Sequence, residues 1–346
     1  MKRTVLALPF ALALAACVEA DPEELGVAEQ NAGCSAWGCG SNSPILGPLY
    51  FHELKESGTS LEGIGIVDMV QNNVHYRVHV HADKLYGISL NGGPNLSGAA
   101  LDGARINLTT PAGNATLYIE NVNTASQKFW RGPATYVETY ELRYTGAGVP
   151  NFGAPLPLCQ NPPGRRDGEG SYWLEQYEAI LFTGDRYNAS SKTVTATTPA
   201  QSGDYFNIAC AGGALAKLHL NRYTYAGSTS GYTSGGATRQ AMLKMYTGDF
   251  CGTGVAYTRQ GVTLRWTNAQ LQTSAGGSTA SNEALWDLNG AKCIKVHRLH
   301  GSAYDMDSTI ACAPWNGGSL RACNASDFTS FSSSGAAFMT QSAALP

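Results

Sequence analysis

Charge is scarce in this chain. Only 14% of its 346 residues are Asp, Glu, Lys or Arg, well under the ~25% usual for soluble domains. The 23 basic and 26 acidic side chains leave a net charge of −3, with no clustered basic excess of the kind needed to neutralise phosphates, which excludes nucleic acid as a dedicated partner. Beyond the N-terminus no apolar run approaches the ~18 residues that span a bilayer as a helix. A phosphate loop is also missing: Gly252-Thr253-Gly254 is not followed by Lys-Ser or Lys-Thr and reads as a tight turn. What the chain has instead is 40 glycines, 17 tyrosines, six tryptophans, nine cysteines and 43% hydrophobic residues. That apolar fraction suffices for a core and rules out wholesale disorder. The combination points to a β-rich, disulfide-bearing exported protein.

The export signal is local. Lys2 and Arg3 precede an apolar stretch from Thr4 to Ala13 that is too short to remain as a membrane helix. Leu14-Ala15-Ala16-Cys17 follows and resembles the lipobox of bacterial lipoproteins. The resemblance implies cleavage after Ala16 and acylation of Cys17. Several acyl chains at ~0.8 kcal/mol per buried methylene make such an anchor effectively permanent. Val18 rather than Asp after the cysteine implies sorting to the outer membrane.

Organisation follows from composition. Residues 1–16 read as signal peptide, and 17–45 as a flexible tether kept solvated by Asp21, Glu23 and Glu24. Residues 46–150 carry β signals. In Val74-His75-Tyr76-Arg77-Val78-His79-Val80-His81 alternation is strict, with the valines and Tyr76 on the buried face. Thr116–Glu120 and Tyr136–Leu142 read as further strands. Leu96, Leu101 and Ile106 recur every five residues, too few units for a solenoid, and mark turns at hairpin ends. A Pro/Gly-rich stretch from Pro150 to Gly170 suggests a boundary. In 151–328, strands are expected at Tyr172–Phe182, Thr193–Thr197 and Tyr205–Ala209, and helices at Ala211–Leu218 and Thr238–Tyr246. Residues 329–346 are Ser/Ala-rich and are expected to fray. The fold class is therefore α+β, mostly antiparallel β, with two short packed helices in the C-terminal domain.

Three ordered blocks sharpen this. Gly248-Asp249-Phe250-Cys251-Gly252-Thr253-Gly254 resembles the signature of the ADYC-domain proteins, with Gly248 for the Ala and Phe250 for the Tyr. Upstream, Phe206 to Lys217 fits the family's Phe-x-x-x-Cys-Ala-x-Gly-Ala-x-Ala-Lys block. Downstream, Glu283-Ala284-Leu285-Trp286 and Gly290-Ala291-Lys292-Cys293 fit a third. The resemblance covers roughly Pro155 to Cys323 and assigns no reaction. It departs at Leu218 and Met242, where relatives usually carry Cys. The paired loss implies that these two positions face each other, an apolar contact replacing a bridge.

Two constellations could carry chemistry. Cys210 sits where a strand hands over to a helix, a place that can stabilise a thiolate. With His219 or His297 as base it would serve a cell-wall or peptide hydrolase. Against this, the mature chain after lipidated Cys17 keeps Cys34, Cys39, Cys159, Cys210, Cys251, Cys293, Cys312 and Cys323. That even number in an oxidising compartment reads as all bridges. Spacing alone does not fix their connectivity; proximity favours Cys34–Cys39 and Cys312–Cys323. The second constellation is His75, His79 and His81 on one strand face with Asp83 at the same parity, a possible zinc site opposed by Arg77 in its middle. The favoured reading has no metal and no cofactor: an outer-membrane or surface lipoprotein acting as a non-enzymatic binding or structural module. Its partners would be the membrane through its lipid, and a glycan or protein met by surface aromatics.

Overall fold

In the computed structural model the described residues are 44–342, apart from 126, 149–153, 160–177, 196–197, 199, 201–202, 211, 228–234, 259–263, 271, 275–280 and 300–319. The leader, nearly all of the tether, Cys17, Cys34, Cys39 and Cys312 lie outside them. A short hairpin of β1 (Ile45–Leu46) and β2 (Leu49–Tyr50) comes first. It leads into β3 (Glu53–Lys55), β4 (Gly65–Gln71), β5 (Val74–His81), β6 (Lys84–Ser89) and β7 (Leu96–Ser97). Next come β8 (Arg105–Thr110), β9 (Gly113–Asn123), β10 (Thr139–Gly146) and β11 (Leu156–Pro157). After these lie β12 (Glu178–Thr183), the hairpin β13 (Arg186–Asn188) with β14 (Thr193–Thr195), and β15 (Tyr205–Cys210). The C-terminal part holds α1 (Ala214–Leu220), α2 (Gly236–Thr247), β16 (Leu264–Asn268), β17 (Ser281–Asp287), β18 (Gly290–Ile294), α3 (Ala325–Thr329) and β19 (Phe338–Ser342).

The class is α+β and mostly antiparallel. The larger sheet runs β3-β15-β12-β10-β9-β8-β4-β5-β6-β7, with β11 beside β10. Its inward positions follow the alternation, except that Val74, expected on the buried face, is exposed at the turn end of β5. In β5, Tyr76, Val78 and Val80 are buried while His75, Arg77 and His81 are exposed, because successive side chains of a strand point to opposite faces. The turn into β5 is Asn72-Asn73, both at positive φ, a conformation that Asn tolerates in tight hairpins. The sheet curls: the Leu85 N–H on β6 donates to the Tyr140 hydroxyl of β10 at 2.8 Å, and the Thr183 N–H of β12 donates to the Ala82 carbonyl at 2.8 Å. Leu96, Leu101 and Ile106 all fall into the core so enclosed.

The sheet does not stop at residue 150. β12 and β15 extend it, and β3 pairs with β15 through Tyr205↔Lys55 and Phe206↔Leu54. A split at 150/151 thus cuts through one hydrogen-bonded layer.

Helices cover the outer face of β12 and β15. Ile180, Phe182 and Ala209 point there and share a second core with α1, α2 and the aromatic side chains of the smaller sheet. That sheet runs β16-β19-β17-β18. Its far side holds a third core of Leu285, Cys293, Cys323, Phe328, Phe331 and Ala336, partly under α3, which opens on a capping box at Asn324 and Asp327. Both main helices start later or run longer than composition suggests. α1 begins at Ala214 after two glycines, and α2 ends when Gly248 turns left-handed at φ 64°.

The C-terminal segment corrects the expectation of fraying. β19 lies between β16 and β17, with Phe338, Thr340 and Ser342 buried. Its two-residue alternation, not its Ser/Ala composition, decides the outcome. The Trp286 indole N–H on β17 donates to Thr340 Oγ1 at 2.8 Å.

Phe338 is fully buried in the second core. Phe338→Ala is expected to cost about 3–5 kcal/mol in denaturant unfolding; a frayed tail would give a cost near zero. Leu218 of α1 and Met242 of α2 are both fully buried in that same core. The double variant L218C/M242C is expected to form a bridge on air oxidation, read as a mass loss of two hydrogens without loss of stability. Two thiols that persist in the oxidised, folded variant would show that the two positions do not face each other.

Candidate functional site

The family-like signature loop follows directly on α2. Gly248 closes the helix, and a Cβ there would meet the Tyr257 carbonyl oxygen at 2.7 Å. Asp249 turns back into the protein. Its Oδ2 accepts from Lys244 Nζ at 2.5 Å and from the Gly254 N–H at 2.8 Å. Lys244 also donates to the carbonyls of Ser191 at 2.9 Å and Gly252 at 3.2 Å, which fills the three donors of an ammonium. Both side chains are buried. Burial lifts the Asp249 carboxyl above its ordinary range, while the Lys244 charge and backbone N–H groups pull it down.

The next residues are equally occupied. The Phe250 ring packs 4.7 Å from that of Trp286, and Cys251 is disulfide-bonded. A Cβ on Gly252 would sit 1.9 Å from the Asn289 carbonyl oxygen. The loop thus ties the end of α2 to the β17–β18 hairpin and to the β13–β14 turn.

Residues 98–300 match the family model of the ADYC domain. The chain belongs to the ADYC-domain family. No curated protein and no solved structure matches it. The ADYC match begins at Gly98, well before Pro155, where the recognisable blocks start. β8 to β10 belong to the same sheet as β12 and β15, and their alternating apolar positions carry no motif that a reader could pick out.

Within the ADYC domain Cys210 is not a nucleophile. It is bridged to Cys159, with Cα atoms 5.2 Å apart, a distance ordinary for a disulfide. Its intended bases also lie elsewhere. Along β15, Phe206, Ile208 and Cys210 face the first core and Ala209 the second. His219 stacks on Phe182 of the second core, rings 4.6 Å apart. Thiol and imidazole therefore sit on opposite faces of the sheet. His297 is buried after β18, beside Arg298, whose guanidinium holds Glu283 through bonds of 2.7 and 3.0 Å. The second described bridge is Cys293–Cys323, so the expected Cys312–Cys323 pairing is wrong. The β18 strand brings Cys293 against the segment before α3, as the Cys323 N–H to Ile294 carbonyl bond of 2.8 Å records.

His219 is fully buried. Its Nδ1 lies 2.9 Å from Thr224 Oγ1, which also accepts from the Gly227 N–H at 2.9 Å. Nε2 points toward Asp83, 3.8 Å away, too long for a direct hydrogen bond. Partial burial raises the Asp83 carboxyl, but its interaction with His219 outweighs this and holds it below the usual range. Hence Asp83 leaves the histidine strand and serves the helix side.

The three strand histidines are not gathered. Each of two finds its own carboxylate: His75 Nδ1 meets Asp68 Oδ2 at 2.6 Å, and His79 Nδ1 meets both Glu56 oxygens at 3.0 Å. The rings of His79 and His81 lie 6.3 Å apart. The four-ligand zinc site of His75, His79, His81 and Asp83 does not form as drawn. Among the described residues, the grouping of three potential ligand atoms is Cys293, Cys323 and Asp327, in which both sulfurs are already bonded to each other. Glu56 lies 23 residues from His79, with no local signal to link them, whereas Asp68 lies seven residues from His75 across the Asn72-Asn73 hairpin, a turn signal that could have placed it.

Asp249→Ala is expected to destabilise the ADYC domain by about 3–5 kcal/mol, because it strands a buried ammonium. The double change K244M/D249L should recover most of that loss in urea unfolding. A single variant as stable as wild type would remove the loop's structural role.

Proposed function

We propose that the chain is an outer-membrane lipoprotein, anchored through acylated Cys17, whose ADYC domain works as a non-enzymatic binding or structural module. The Cys159–Cys210 disulfide carries the non-enzymatic part, since it consumes the thiol best placed for nucleophilic chemistry. The signature loop supports the same reading because its acid, cysteine and glycines are engaged in packing. Export is supported by bridges that close segments of 51 and 30 residues, as oxidising compartments favour. No helix among the described residues is long and apolar enough to cross a membrane. A glycan or protein ligand remains the partner class. Among the described residues most large aromatics are buried, with Tyr136 and Tyr225 among the exposed ones.

Two measurements test this reading. Cys17→Ser is expected to shift the protein from the outer-membrane fraction to an unprocessed or soluble form; membrane retention of that variant would refute the anchor. Thiol titration of the denatured, unreduced protein is expected to find no reactive equivalent at Cys210. One equivalent mapped there would restore the hydrolase.

A further inference from the structure

We propose that His79 and His81 form a surface site for a borderline divalent transition-metal ion, Cu²⁺ above all and Zn²⁺ next, with Glu56 as the carboxylate that orients it. The reading is independent of lipid anchoring and goes beyond the binding-module role.

The argument starts from the tautomer. An ionised carboxylate only accepts hydrogen bonds, so the imidazole nitrogen facing it carries the proton. Glu56 touches His79 at Nδ1 through both oxygens, each at 3.0 Å. His79 therefore donates from Nδ1, which leaves Nε2 as the nitrogen that a neutral imidazole offers to an ion. The carboxylate is itself fixed, because Glu56 Oε1 accepts the Val80 backbone N–H at 2.7 Å and its side chain is only 10% exposed. A carboxylate–imidazole pair of this kind is the usual outer shell of a metal-bound histidine, where it sets the ring's orientation and raises its basicity.

The second ligand is two residues along the same strand face. His81 is exposed, and its ring lies 6.3 Å from that of His79 at an interplanar angle of 28°. Two imidazoles at i and i+2 can converge on one ion after a rotamer change at the exposed His81, and imidazole nitrogen suits Cu²⁺ and Zn²⁺. The remaining coordination positions would face solvent, open to water or an oxygen donor from a ligand.

The surrounding charges permit this. Arg77, the objection raised by the sequence, has its Nη1 3.6 Å from Glu56 Oε2, so the same carboxylate offsets it. Lys84 sits opposite His81 in the register, but its ammonium lies 3.7 Å from Glu138 Oε1. Tyr86, opposite His79, presents its ring at 6.2 Å. His75 takes no part. Its own carboxylate is Asp68, which Asn107 Nδ2 also engages at 2.7 Å, and it stands four residues from His79 along an extended strand, about 13 Å.

The test is titration of the purified, tag-free protein with Cu²⁺, followed by calorimetry and electron paramagnetic resonance. One equivalent per chain, with hyperfine structure from two nitrogens, is expected. His79→Ala and His81→Ala should each abolish that two-nitrogen signal. His75→Ala should leave it intact. Glu56→Gln should weaken binding about 10–100-fold; should that variant unfold, the histidine variants decide the matter, since both changes are on an exposed face. Absence of stoichiometric binding, or a two-nitrogen signal that survives in His79→Ala or His81→Ala, would overturn the proposal.

Discussion

The ammonium of Lys244 has three acceptors and sits in the protein interior. A buried charge is tolerable only when its partner and remaining donors are satisfied, so the backbone that supplies those acceptors must hold its position. Two of the acceptors are carbonyls on separate segments, Ser191 in the β13–β14 turn and Gly252 in the signature loop. Asp249 in turn needs the Gly254 N–H. Close backbone approach then excludes side chains at Gly252, Gly254 and Gly290, where a Cβ would meet a carbonyl oxygen at 1.9, 2.2 and 2.7 Å. In this chain the glycines around the signature are thus geometric consequences of burying one ion pair at the end of a helix.

Layering explains why that helix matters. α2 stands between the curled sheet and the four-stranded sheet, and its residues share one core with strands from both. Period-two alternation in β12 and β15 divides their side chains between this core and the first. The same parity that packs Ile180 and Phe182 against the helices also sends Cys210 away from His219. No rotamer change brings them together, because a sheet of backbone lies between. The separation is topological, and the Cys159–Cys210 bridge only adds to it.

Legibility in the sequence followed the range of the interaction. β5 could be read from Tyr76 onward, since alternation is a local property of the strand; Val74, beside the Asn72-Asn73 turn, is exposed against that reading. The cores of α1 and α2 were found to within a turn for the same reason. What composition hid was β19, where five residues of alternating pattern were diluted by Ser and Ala on both sides. Bridges misled through nearness: Cys323 lies closer in sequence to Cys312 than to Cys293, yet it bonds Cys293. Glu56 was invisible as a partner of His79 because their meeting depends on β3 pairing with β15, some 150 residues on, and no window of sequence contains that contact.

The scarcity of charge acquires a physical meaning once the pairs are placed. Glu53, Asp185, Asp249 and Glu283 are all buried carboxylates facing Arg186, Arg239, Lys244 and Arg298 respectively. Pairing is obligatory for charges committed to the interior. The β5 face with three histidines, two of them held by carboxylates, is chemically distinct from these pairs because its imidazoles reach the surface. Imidazoles there meet little competing charge beyond Arg77 and Lys84, and both of those have carboxylates within 4 Å. Affinity for a cation there rests on lone pairs on nitrogen, and the orientation of the His79 ring is set by Glu56.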